Sequence, residues 1–435
     1  MDALTIGLIG MIVLFVLLIL RVPVGIALLA VGFGGITVSA GFNAAMGTLT
    51  AETWHIASSY TLSVIPLFIL MGNLTVISGL SRNLYDAAQA VVGHYRGGLA
   101  SATILGCGGF AAVSGSSLAS ALTMGRVVLP QMERLGYNHR LSTGALAAGG
   151  TLGILIPPST GFIIYGILSE QSIGRLFMAG ILPGLLLMGL FIVAILVVTF
   201  IRPDYAPSQQ AAPLRERLCA LKEAAPLMIV AFITIGGIYA GAFTPVEAAG
   251  VGAFLVLIIA LLRRKLSWRD LQSVLVETAR TTAVFYLILI AAHVFSPFVA
   301  MSGIPQTLAS QMMELGLGTY GTLAIILVAY VILGTFLEGF AMLVLTLPIV
   351  LPIIAQLGID PIWFGVLVVI VLEMGLITPP VGMNVFAVKG IAPHIPLSHM
   401  YVGVLPFWFA MGLCLAIVVL FPQLALMIPD TMFGR

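Results

Sequence analysis

Charge is scarce in this 435-residue chain: Asp, Glu, Lys and Arg make up 8% of it, against ~25% in a soluble domain whose surface must be wetted. That deficit excludes an ordinary water-soluble globule. Cysteine is scarce too: Cys107, Cys219 and Cys414 stand far apart, with neither metal-ligand nor disulfide spacing. No basic cluster with interleaved aromatics is present, so nothing points to nucleic acid. The net charge of +2 selects no other partner. A basic n-region is missing as well. Met1-Asp2-Ala3 leads straight into an apolar run, 4–20, that ends at Arg21 without a small-residue cleavage site. It reads as a retained first span rather than a signal peptide.

What is abundant is apolar. Hydrophobic residues are 60% of the chain and the mean hydropathy is +1.16. At ~20 apolar residues per helical crossing there is room for about ten spans or more. The 48 glycines and 23 prolines exceed what plain lipid-facing helices use. They imply close helix contacts and broken helices, which lipid tolerates only where protein or a water-filled cavity covers the freed backbone.

The second half repeats the first. At a shift of 222 residues, Pro23-Val24 falls on Pro245-Val246, Leu129-Pro130 on Leu351-Pro352, Gly153 on Gly375 and Pro157-Pro158 on Pro379-Pro380. At a shift of 223, Gly180, Leu182 and Pro183 meet Gly403, Leu405 and Pro406. A register held across most of each half is the mark of transporter repeats.

Charge then orients the halves, because Lys and Arg gather on cytoplasmic loops. With the N-terminus outside, spans at 4–20, 22–40 and 62–90 bring the chain inside near Arg96. The segment 97–135 would be ~50 Å long as one helix, too long for a core of ~30 Å. It carries Val113-Ser114-Gly115-Ser116-Ser117 at its middle and reads as a re-entrant hairpin entering from the cytoplasm. A broken helix at 142–168 goes out, and 177–201 returns to a polar linker, 202–225. An odd number of crossings inverts the second half, which places a partner hairpin, 319–357, on the outside, followed by a second broken helix, 362–388. No Lys or Arg lies between Arg280 and Lys389, in keeping with that placement, although Arg175 sits alone on an expected outer loop. The expected fold is therefore an all-α polytopic membrane protein with two inverted-topology repeats, 1–201 and 226–435. Each repeat has about five spans and one re-entrant hairpin, and both termini are expected on the outer side.

Each half supplies one tip and one break. The first tip is Ser114-Gly115-Ser116-Ser117, and the first break runs from Gly149 through Thr151 and Gly153 to Pro157-Pro158. The second tip is Gly334-Thr335-Phe336-Leu337-Glu338-Gly339, and the second break runs from Glu373 through Gly375 and Thr378 to Pro379-Pro380. Proline has no N–H and clashes with the carbonyl one turn back, so tandem prolines free several backbone oxygens. Such carbonyls and hydroxyls at helix C-terminal ends suit a bare Na+, while half-helix N-termini suit an anion. Two such cages imply at least two ions. The bland readings are small-residue packing for the serines and a packing kink for the prolines. Their clustering at the centre of an overlong segment, and the recurrence of the kink at the paired position, favour the functional reading.

Glu338 and Glu373 are the acidic residues placed deepest, where an ionisable group is costly and points to function or to snorkelling. Under the repeat, Glu338 pairs with Ser116 and Glu373 with Thr151. Asn384 and Lys389 read as a cap and a cytoplasmic-end anchor, His293 as a satisfied interhelical donor, and Trp54, Trp268, Trp363 and Trp408 as interface anchors.

With these residues in hand, the sequence resembles the large membrane subunit of tripartite ATP-independent periplasmic (TRAP) transporters, members of the broad ion-transporter superfamily, over nearly its whole length. The stretches that carry the resemblance are Gly108-Gly109-Phe110 through Ser117, Gly149-Gly150-Thr151-Leu152-Gly153-Ile154-Leu155-Ile156-Pro157-Pro158, and Gly375-Leu376-Ile377-Thr378-Pro379-Pro380-Val381-Gly382. The resemblance implies residence in the bacterial inner membrane. It also implies an elevator mechanism in which hairpins and broken helices move against a scaffold. Two partners are implied: a small membrane subunit of about four spans and a soluble periplasmic substrate-binding protein. It further implies Na+-coupled uptake of an organic anion such as a C4-dicarboxylate or sialic acid. Carried over by position, Na+ sites fall at Ser114, Gly115, Ser116 and Ser117 with Gly149, Thr151, Gly153 and Pro157. A second set falls at Gly334, Thr335, Glu338 and Gly339 with Gly375, Thr378 and Pro379. The alternatives are a self-sufficient Na+/dicarboxylate symporter or ion exchanger of the same superfamily, a passive channel that two closed tips would obstruct, and an intramembrane serine hydrolase. The hydrolase requires a base beside a tip serine, and His139 and His293 are the candidates.

Overall fold

Apolar runs punctuated by Gly, Pro and short capping motifs give an all-helical chain. The computed structural model describes residues 2–207 and 210–433, and no strand occurs among them. The first helices are α1 (Ala3–Ile19), α2 (Val24–Ala40), α3 (Phe42–Ser58), α4 (Val64–Ile77) and α5 (Leu80–Val92). A hairpin follows, α6 (Gly98–Ser114) and α7 (Ser117–Arg134), then α8 (His139–Leu155), α9 (Thr160–Leu168) and the long α10 (Ile173–Ile201). The second half runs through α11 (Leu214–Tyr239), α12 (Pro245–Leu262), α13 (Trp268–Ser302) and α14 (Ile304–Glu314). A second hairpin, α15 (Gly318–Gly334) and α16 (Gly339–Gln356), precedes α17 (Pro361–Gly375), α18 (Met383–Ile391), α19 (Leu397–Leu420) and α20 (Gln423–Phe433).

Local chemistry sets several of these boundaries. Thr244 and Glu247 form a reciprocal capping box at the start of α12, and Ser267 and Asp270 do the same for α13. Seven helices are long and apolar enough to cross a membrane among the described residues, or eight if α8 and α9 form one bent span. α1, α2, α6, α15 and α17 are apolar but shorter, at 15 to 17 residues. The count falls below about ten partly because α1 and α2, at 17 residues each, stop just short of that length.

Three expected boundaries move. The expected span 62–90 is two helices, α4 and α5, parted at Gly79, whose φ of +73° is a left-handed conformation that glycine adopts without a Cβ clash. Residues 42–58, unassigned from sequence, form α3. The linker expected at 202–225 is helical from Leu214 on, where α11 begins, and carries Arg215, Arg217 and Lys222 on that helix.

The core lies around the first arms of the two broken helices. Every residue from Leu141 to Leu155 on α8 is buried, as is every residue from Ile362 to Gly375 on α17. A helix apolar all round belongs inside, among other helices. α8 packs against α6, α7 and α19, and α17 packs against α15, α10 and α19. Elsewhere α13 lies along α2, with Gly32 so close that a Cβ there would meet the Phe295 Cα at 2.8 Å. Helix ends recur at a constant interval: α7 and α16 each have 18 residues and begin at positions 117 and 339, and α8 and α17 begin at 139 and 361.

The α8–α19 contact rests on two glycines. A Cβ at Gly144 would collide with the Gly403 carbonyl, and one at Gly403 with the Arg140 carbonyl. Backbone cannot yield as a flexible side chain can. Gly144→Ala is therefore expected to cost about 1–3 kcal/mol, read as a lowered melting temperature of the purified protein. An unchanged melting temperature would mean that the two helices pack more loosely than this.

Candidate functional site

The first tip is a tight turn. α6 ends at Ser114, Gly115 takes a left-handed φ of +60°, and Ser116 caps α7 by accepting from the Ala119 N–H at 3.3 Å. The break between α8 and α9 spans Ile156 to Ser159 and bends the pair by 42°. Ser159 caps α9, accepting from the Phe162 N–H at 3.2 Å while donating to the Ile154 carbonyl. Tip and break touch directly. The Gly115 carbonyl accepts from the Thr160 N–H at 3.3 Å and from Thr160 Oγ1 at 2.6 Å. A Cβ on Gly115 would sit 2.8 Å from the Pro158 carbonyl oxygen, and one on Gly153 would sit 2.6 Å from that of Ser116. Ser114 Oγ pairs with Ser120 Oγ at 3.1 Å, and Pro157 is buried at the bend. Two expected site residues make further contacts here. Gly149 faces Cys107 on α6, and the Thr151 hydroxyl is spent on the Ala148 carbonyl of its own helix at 2.6 Å.

The second tip is wider. Thr335, Phe336, Leu337 and Glu338 join Gly334 to α16. Thr335 Oγ1 donates back to the Ile332 carbonyl at 2.7 Å, and half-buried Glu338 stands at the helix start without a side-chain capping bond. Again tip meets break: a Cβ on Gly375 would lie 2.6 Å from the Gly334 Cα, and one on Gly339 would meet Leu372. Thr378 Oγ1 donates to the Met374 carbonyl at 2.5 Å and accepts from Trp408 Nε1 at 3.0 Å. Tyr401 donates to the carbonyls of Pro380 and Val381, at 3.0 and 2.8 Å. The two breaks differ in cover. Pro157 to Thr160 are buried, whereas Pro379, Pro380 and Val381 are exposed.

The two halves also meet each other. Ser117, at the first tip, donates to Glu373 Oε1 on α17 at 2.7 Å, and Asn384 on α18 reaches the Ala147 carbonyl of α8 at 3.5 Å. Asn384 is thus no cap; it is buried between α18 and α8. Lys389 does anchor a helix end, donating to the Pro393 and Ile395 carbonyls. The tryptophans divide. Trp54 and Trp268 are exposed as interface anchors are, but Trp363 donates to the Val418 carbonyl at 2.9 Å and Trp408 to Thr378, so both hold helices together. His293 bonds the Leu289 carbonyl of its own helix at 2.9 Å rather than a neighbouring helix.

The arrangement offers hydroxyls, backbone carbonyls and helix N-termini, the ligand types of alkali cations and small anions. No group of three or more His, Cys, Asp or Glu side chains placed to hold a metal occurs among the described residues. Hydrolysis finds no base: His139 lies against Glu133 with His394, and His293 is engaged within α13.

The comparisons with known proteins agree with this geometry. The family described as "Tripartite ATP-independent periplasmic transporter, DctM component" matches residues 11–424. The C4-dicarboxylate TRAP transporter large permease protein DctM of Pseudomonas aeruginosa is 38% identical over 88% of this chain and 89% of its own. The sialic acid TRAP transporter large permease protein SiaM of Vibrio cholerae is 34% identical over 96% of this chain and 97% of its own. Among solved structures, the YdaH transporter of Alcanivorax borkumensis shares the fold with a TM-score of 0.61 at 16% identity, covering 88% of this chain and 90% of that one. These relatives are membrane permeases rather than enzymes, and the chain belongs to the DctM family of tripartite ATP-independent periplasmic transporters as a large permease subunit.

Proposed function

We propose that this chain is the conducting subunit of a Na+-driven uptake system for a small organic anion, working with a small membrane subunit of about four spans and a periplasmic binding protein. The relatives named for C4-dicarboxylates and sialic acid make a carboxylate the expected cargo. The observation that carries the reading is the direct seating of each hairpin tip on a broken helix, at Gly115–Thr160 and Gly334–Gly375. Each seat gathers helix-end carbonyls and hydroxyls into a cage for Na+, and nearby half-helix N-termini can face the anion. In this reading the hairpins with α8, α9, α17 and α18 form the mobile part of an elevator, and 1–201 and 226–435 are its inverted repeats. Both termini then lie on the periplasmic side of the inner membrane.

The test is uptake by the chain co-reconstituted with its small subunit, with and without loaded binding protein, under an imposed Na+ gradient. Uptake is expected to need both. Ser116→Ala and Thr378→Ala should each lower it by about tenfold or more, with Thr378→Ser retaining most activity because the hydroxyl survives. Each net positive charge carried inward gains about 2.3 kcal/mol per 100 mV. Two Na+ with a monoanion are therefore electrogenic and two with a dianion are not, which a reversal potential reads. Uptake indifferent to the binding protein would make this a self-sufficient symporter, and uptake driven by protons would remove Na+ from the mechanism.

A further inference from the structure

Glu373 is the only Asp or Glu among the described residues with no accessible surface. One carboxylate oxygen, Oε1, accepts from Ser117; the other, Oε2, has no partner. Asn384, equally buried, donates through Nδ2 to Ala147, yet its Oδ1 is also unpartnered. Each side chain lies beside Ser117, Glu373 by its hydrogen bond and Asn384 across Gly150. A Cβ at Gly150 would lie 3.1 Å from the Ser117 carbonyl oxygen and 3.4 Å from Asn384 Nδ2. Two buried acceptor atoms, one of them on a carboxylate, thus lie near the foot of the first hairpin without a hydrogen-bond partner.

Unpartnered buried acceptors are rare, and an unpaired buried carboxylate is costly. Protein cations do not supply the missing partner. The ion pairs of the described residues lie elsewhere, at Arg82–Asp86, Arg175–Asp430 and around Glu133. The repeat adds a second argument. Glu338 brings a carboxylate to the second tip, while its counterpart at the first tip is Ser116. Glu373 reaches the first tip through Ser117 and restores that balance from the opposite half.

We propose that Glu373 Oε2 and Asn384 Oδ1 are ligands of a Na+ seated beside Ser117, so that the first hairpin's ion site is completed by the second broken helix. The inference rests on the Na+-coupled reading above and gives it a residue that carries the compensating charge. It also makes α7, α17 and α18 share one ion, which ties the first tip to the second break.

The test is equilibrium binding of radioactive Na+ to the purified complex of this chain with its small subunit, in choline buffer, together with Na+-dependent thermal stabilisation. Glu373→Gln is close in shape and lacks the charge. It is expected to bind one Na+ fewer than wild type, or to need at least about tenfold more Na+ for half-saturation. Asn384→Ala should do the same, and serves if Glu373→Gln fails to fold. Wild-type Na+ stoichiometry and affinity in a folded variant would overturn the proposal and leave a proton on Glu373 as the simpler occupant. Absence of Na+ binding to the wild-type complex would instead sink the Na+-coupled reading itself, so the two failures are distinguishable.

Discussion

Gly153→Ala is expected to lower the initial rate of uptake by about a hundredfold or more, in a protein that still inserts and purifies. The added Cβ would lie 2.6 Å from the Ser116 carbonyl oxygen, 2.7 Å from its carbon and 2.9 Å from the Ser117 N–H nitrogen. All three are backbone atoms at the start of α7, so no rotamer change relieves them. The tip must retreat from the broken helix by ~1 Å, and a misplacement of that size costs about 10²-fold where function depends on preset geometry. Gly375, which falls on Gly153 at the 222-residue shift, is placed alike. A Cβ on Gly375 would lie 2.6 Å from the Gly334 Cα and carbonyl carbon, so Gly375→Ala should be equally damaging. Gly189→Ala and Gly236→Ala are the controls, since a Cβ at either position has nothing within 4 Å. Near-normal uptake by Gly153→Ala would show that tip and break need not touch for transport.

Those glycines were legible because their signals are local. The turn at Gly115 and Ser116 sits inside the tip expected from Ser114-Gly115-Ser116-Ser117. The bends at Pro157-Pro158 and Pro379-Pro380 follow from residues that cannot continue a helix. The all-helical membrane character follows from composition alone. What remained hidden depends on which faces meet. Hydropathy registers the apolar run in 62–90 but not the left-handed glycine that parts α4 from α5. It also says little about α3, where Asn43, Thr48, Thr50, Glu52 and His55 dilute the apolar signal. The aromatic-belt rule sees an indole at Trp363 and Trp408 and cannot see the buried acceptors, Val418 and Thr378, that hold them inside. Asn384 lies beyond Gly382 at a helix start, where a cap is the ordinary reading, and only tertiary packing brings its amide to Ala147. For Thr151 and Gly149, helix phase sets contacts that pattern does not register: the Thr151 hydroxyl bonds its own backbone and Gly149 lies against Cys107.

Val381→Cys, in a Cys219→Ser background, should react with a membrane-impermeant thiol reagent at least about a hundredfold faster than Ser159→Cys, because a buried thiol reacts only after local opening. The background needs only that change, since Cys107 and Cys414 are buried and Cys219 is the exposed thiol. The two positions follow corresponding tandem prolines, yet Ser159 is buried under the first tip and Val381 is exposed beside the second. Irregular backbone at membrane depth is tolerated only against protein or in a water-filled cavity, and Tyr401 covers just the Pro380 and Val381 carbonyls. The exposed second break must therefore face water or a partner chain. Tyr401 lies near the start of α19, and α18 leads to Lys389 about two turns beyond the break. With Lys and Arg marking the cytoplasmic side, the reagent should reach Val381→Cys from that side, in inside-out vesicles and not in right-side-out ones. Slowing of the reaction by Na+ would follow if the ion draws the second tip onto its break. Equal labelling of both cysteines would mean that the two breaks share one degree of cover, and that the asymmetry between Pro157 and Pro379 is not a property of the protein in its membrane.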